Sequence, residues 1–180
     1  MNRRNKQLLF ILALVTIGIT ARVLPHAANF VPITALALLA AAYLPRRAAL
    51  AVPLAIMVLS DLIIGMHPLV AYTWGSFVLI GYIGSRLYKR TGNRWHLAAL
   101  GPVGSVIFFI VTNFGVWMQG RMYEHTFAGL TRCYVMALPF FRSTLMSDAA
   151  YTPLVFIVTY FAIKMVGAKV RTPKTLPNLA

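Results

Sequence analysis

The sequence predicts an all-α integral membrane protein, a single-domain bundle of six helices with both termini in the cytoplasm. Three observations carry that prediction. Of the 180 residues, 59% are hydrophobic and only 11% are charged, whereas a soluble domain averages about 25% charged. Long apolar runs alternate with short basic ones, and the mean hydropathy is +0.75. Threading those runs alternately across a bilayer puts thirteen of the seventeen Lys and Arg residues on the cytoplasmic side. The other side keeps Arg22, Arg121, Arg132 and Arg142. That asymmetry is what the positive-inside rule requires, and a five-span count would break it. The net charge of +14 is therefore topology. The basic residues form no single face, which argues against a nucleic-acid partner; the lipid bilayer is the expected one.

The spans are expected at 8–23, 33–44, 48–64, 69–87, 97–118 and 143–166. The first follows a basic start and resembles a signal peptide, but Ile19 spoils the small-residue cleavage pattern before Arg22, so it reads as an uncleaved span. Pro32 suits the first turn of the second helix. That segment falls short of the ~20 residues an upright span needs, so it must be covered by other helices. Pro45 ends it. The third helix closes with Ser60-Asp61 before the turn Gly65-Met-His-Pro68, and the fourth runs to the basic loop at Lys89. Gly101, Gly104 and Gly115 in the fifth allow close helix approach. The stretch 119–131 is the most polar after that loop and reads as a connection to the sixth helix. The tail beyond Gly167 is basic, carries Pro173 and Pro177, and is expected to be loose.

Few residues can carry chemistry. Cys133 is alone, which excludes an internal disulfide or a cysteine-based zinc site; it reads as a passive thiol or, more sharply, a soft ligand for a metal-bearing substrate. The four histidines show no metal-ligand spacing, so no metal and no cofactor are expected. Asp61, Glu124 and Asp148 are the sole carboxylates. Neither a nucleophile elbow, an HExxH run nor a phosphate-cradling glycine loop is present, so the sequence does not predict an enzyme.

The topology gives each polar residue a depth. Asn113 lies about 24 Å along the fifth helix at ~1.5 Å per residue, in the outer half. Asn29, Asp61, Trp74, Trp117, Arg142 and Asp148 fall towards the same side, which describes an outward-facing cavity closed by the segment 137–153. A charge at membrane depth costs at least ~2.5 kcal/mol and needs a partner or water. Asp61 and Arg142 are therefore expected to pair and pin the third helix to the sixth. Asn113 has the bland alternative of an interhelical hydrogen bond, and the aromatics that of an interface belt. Ala37 and Ala41 form a small-xxx-small face, suited to internal packing or to docking a partner helix.

Four runs carry a resemblance: Asn29-Phe-Val-Pro32, Ser60-Asp-Leu-Ile-Ile-Gly65, Thr112-Asn-Phe-Gly-Val-Trp117, and Cys133 through Pro139 to Arg142. Over about 9–161 they resemble an uncharacterised bacterial membrane family of putative transport proteins. Its size, six helices and the Pro32 and Pro45-Arg46 region in turn resemble the S components of energy-coupling factor (ECF) vitamin transporters. This resemblance implies a multi-pass protein of the bacterial inner membrane that binds a vitamin-like, water-soluble micronutrient near its outer face. It also implies a transmembrane coupling subunit with ATPases as partners, docked through an alanine-rich motif that Ala37 and Ala41 would supply, here on the second helix. The expected function is substrate capture for uptake. Asn29, Asp61, Trp74, Asn113, Trp117, Arg142 and Asp148 would face the ligand or gate it, Arg142 holding an anionic group bidentately. The competing expectation is a membrane scaffold or assembly factor whose buried charges are architectural.

Overall fold

The computed structural model describes residues 2–169. The basic tail beyond lies outside the described residues. Eight helices follow in order: α1 (Arg3–Val23), α2 (Ile33–Tyr43), α3 (Arg46–Ile64), α4 (Val70–Thr91), α5 (Arg94–Ala98), α6 (Gly101–Met118), α7 (Phe127–Met136) and α8 (Leu138–Lys169). No strand occurs among the described residues. Four of the helices, α1, α3, α6 and α8, are long and apolar enough to cross a membrane. Side chains such as Leu8, Leu12, Leu62, Ile110 and Phe161 are more than half exposed on their flanks. A surface this apolar suits lipid, and it marks the chain as a membrane protein.

The bundle is built around α2. Every residue from Ile33 to Ala42 is buried, and α1, α3, α4, α5, α6 and α8 all touch it. A helix that is apolar all round belongs inside a bundle. Its small residues set the spacing: a Cβ added at Gly84 of α4 would meet Ala41 Cβ at 3.1 Å and Leu38 Cδ2 at 3.0 Å. At Gly104 of α6, the added carbon would overlap Thr34. The expectation that Ala37 and Ala41 offer a docking face is corrected here. Both are at most 3% exposed and pack within the bundle.

Long-range hydrogen bonds show how the helices alternate. Arg22 at the end of α1 meets Asp61 at the end of α3, and Trp74 near the start of α4 meets the same carboxylate. Gln119, after α6, donates to Pro68 O. Ser143 and Ser147 of α8 donate to Ala28 and Val31 before α2. One end of the bundle therefore collects the end of α1, the start of α2, the end of α3, the start of α4, the end of α6 and the start of α8. At the opposite, basic end Arg46 lies over Tyr82 (4.6 Å) and Arg94 over Tyr43 (4.4 Å), contacts with the negative ring face.

The six-helix expectation needs two corrections. The fifth expected span is broken. Asn93 caps a one-turn α5 by accepting from Trp95 N at 2.9 Å, and Pro102, which cannot donate within a helix, sits in the first turn of a new one. The expected loop before the last helix contains α7. Thr126 caps it, accepting from Gly129 N at 3.0 Å, and Pro139 in the first turn of α8 separates the two. The last helix thus begins at Leu138, five residues before the expected 143.

Candidate functional site

A pocket of about 310 Å³ opens between α4, α6, α7 and α8, at the end of the bundle that carries Asp61. Asn29 reaches it from the loop before α2, Thr73 from α4, Thr112 and Asn113 from α6, Cys133 from α7 and Thr144 from α8. Phe108, Phe109, Phe140 and Phe141 form its apolar wall. Phe109 and Phe141 pack with ring centroids 4.7 Å apart. Asn29 adopts a left-handed conformation (φ 59°), which asparagine tolerates better than most residues. Ser143 holds the neighbouring Ala28 carbonyl at 2.6 Å.

The hydrogen bonds fix what this pocket can offer. Thr73 donates to Val70 O at 3.1 Å, Thr112 to Phe108 O at 2.7 Å and Thr144 to Phe140 O at 3.0 Å. Each hydroxyl hydrogen is thus engaged by its own helix, and what remains free on the oxygen is acceptor capacity. Asn113 Nδ2 donates to Phe109 O at 2.8 Å. Its Oδ1 and second amide hydrogen have no partner among the described residues. The Cys133 thiol donates to Asn113 O at 3.4 Å. No charged side chain lines the pocket. The site is an aromatic slot edged by threonine acceptors and the amides of Asn29 and Asn113, a mixture typical of small-molecule pockets.

Of the seven residues expected from sequence to face a ligand, Asn29 and Asn113 line this pocket and the other five lie elsewhere. Asp61 is buried, with Arg22 Nη2 at 2.7 Å from Oδ1 and Trp74 Nε1 at 2.7 Å from Oδ2. His67 Nε2 lies at 3.7 Å, and Arg22 also reaches Met57 Sδ at 2.8 Å. The expected pair of Asp61 with Arg142 is therefore not made. Arg22 takes that place, because α1 packs directly on α3 whereas Arg142 stands exposed on α8. Among the described residues Arg142 has no hydrogen bond or ion pair, and it does not clamp the pocket.

Trp117 supports the pocket from outside. Its indole donates to Glu124 O at 2.9 Å, and its carbonyl meets His125 Nε2 at 3.0 Å. These bonds hold the loop whose Met122 and Tyr123 form part of the rim. Asp148 lies deeper, buried against α6, where Ser105 Oγ donates to its Oδ2 at 2.6 Å. Reading by depth missed Thr112, Cys133 and the four phenylalanines. The signal available for them was spacing, since Phe109 with Asn113 and Phe140 with Thr144 repeat one helical turn apart.

No curated protein and no solved structure matches the chain. Residues 2–173 match the model of a family of unknown function (DUF6580), and with nearly the whole sequence covered, the chain belongs to that family.

Proposed function

We propose that this protein captures a small, water-soluble, vitamin-like nutrient for uptake, as the substrate-binding subunit of an inner-membrane transport system. The carrying observation is the pocket itself: an open, aromatic-walled slot in which Asn113 keeps unpaired amide atoms beside three threonine oxygens. Such a lining favours a neutral, flat molecule that brings its own hydrogen-bond donors. It disfavours the anionic group that an Arg142 clamp would have served. On the six alternating crossings expected from the sequence, the positive-inside rule would put the basic end in the cytoplasm and open the pocket to the outer side. The sequence resemblance to ECF S components supports the same reading. Because Ala37 and Ala41 are buried, a coupling subunit with its ATPases would dock on another face.

The test is mass spectrometry of small molecules retained by the detergent-solubilised protein. A neutral, donor-bearing compound should copurify with the wild type and be depleted at least tenfold from Asn113→Ala. Retention of lipid and detergent alone would remove the reading. A second reading, a membrane scaffold, is favoured by the Arg22–Asp61–Trp74 junction, whose groups are fully engaged with one another. It predicts that no solute stabilises the protein.

A further inference from the structure

Asp148 stands apart from both the pocket and the Asp61 junction. It is 1% exposed, sits in the apolar helix α8 and has no cationic partner among the described residues. From α6, Ser105 Oγ donates to its Oδ2 at 2.6 Å. The Thr34 side chain of α2 lies against the same carboxyl. One turn along α8, Thr152 Oγ1 is buried with no hydrogen-bond partner among the described residues. A Cβ added at Gly101 would fall 2.5 Å from Thr152 Oγ1 and 2.6 Å from the backbone oxygen of Asp148, so α6 packs directly on this turn of α8, with only a glycine hydrogen between them.

A buried carboxylate needs a compensating positive charge, and no neighbouring element among the described residues supplies one. On α5, Arg94 is engaged with Ala42 O and the Tyr43 ring, and His96 is exposed. On α8, Arg142 is exposed, and α2 and α6 present only hydroxyls. A cleft of about 390 Å³ between Trp95, Pro102 and Pro153 reaches Asp148 from the surface. We propose that Asp148, Ser105, Thr34 and Thr152 form an exchangeable monovalent-cation site, whose occupant is a single positive charge carried as H⁺ or Na⁺. Hard oxygen donors suit such a charge. Ser105 Oγ also lies 3.4 Å from the carbonyl of Thr144, a pocket residue, which joins the two sites through one side chain.

The test uses the full chain in detergent with no nutrient added, so its outcome is independent of the pocket reading. One arm titrates NaCl against choline chloride at constant ionic strength. The other lowers pH from about 8 to about 6 in choline chloride alone. Asp148→Asn keeps the shape and removes the charge, and Thr152→Val removes the orphan hydroxyl. The wild type should gain about 3 °C or more in melting temperature in one arm, and the responding arm names the occupant. Asp148→Asn should lose that gain and Thr152→Val should weaken it. A wild type flat in both arms overturns the proposal, as does an Asp148→Asn variant that responds like the wild type. Should Asp148→Asn not fold, a Thr152→Val response equal to the wild type's counts against it as well.

Discussion

Two polar regions share one end of this bundle, and they are finished in opposite ways. At the junction of α1, α3 and α4, both oxygens of Asp61 are engaged, by Arg22 and Trp74 at 2.7 Å each. In the pocket between α4, α6, α7 and α8, Asn113 keeps an oxygen and an amide hydrogen free, and the threonines point their acceptor capacity away from their own helices' carbonyls. The difference shows how to separate architecture from recognition in an apolar protein. A polar group whose bonds are complete holds helices together. One left incomplete beside open space is equipped to hold something else.

The largest effect that would break this comparison is at the junction. Arg22→Met strands a buried carboxylate, and should destabilise by about 3 kcal/mol in a detergent unfolding titration. Arg22→Met combined with Asp61→Leu should recover most of that loss, because a paired charge replaced by apolar atoms is often neutral or better. Next in size is Asn113→Ala. It should lower affinity for the copurifying solute at least tenfold, about 1.4 kcal/mol, while changing stability by less than about 1 kcal/mol. Thr112→Val keeps the shape and removes one acceptor. Its expected cost is about 1 kcal/mol of binding, read from the same solute's dissociation constant. Smallest is Arg142→Ala, expected to stay within about 0.5 kcal/mol in stability and to leave binding unchanged. A strong Arg142→Ala binding defect would return an anion clamp to the site.

Depth was legible in the sequence for Asp61 and Asn113; direction around each helix was not. The apolar runs and charge asymmetry locate α1, α3 and α8 closely, and the shortness of 33–44 announces a covered helix. Burial of Asp61 also follows from the cost of a charge among apolar residues. Its partner does not, because Arg22 and Arg142 fall at similar depths and only the packing of α1 on α3 decides between them. Helix α7 was hidden by composition. Arg121, Glu124 and His125 make the stretch read as a loop, while the Thr126 cap and the spacing Phe127, Leu130, Cys133 and Ala137 go unnoticed beside them. Without α7, Cys133 reads as an isolated thiol, and the wall it completes stays hidden. A last helix starting at 143 puts Asp148 near the pocket; α8 starts at Leu138 instead, so ten of its residues precede Asp148 and carry it more than two turns deep.

The central claim is that the incomplete region, not the completed one, binds a solute. Native mass spectrometry of wild type, Asn113→Ala and Arg142→Ala, purified in parallel, tests it most directly. The account predicts one neutral adduct on the wild type and on Arg142→Ala, with that adduct lost from Asn113→Ala. An adduct that persists in Asn113→Ala, or that disappears only in Arg142→Ala, would contradict it.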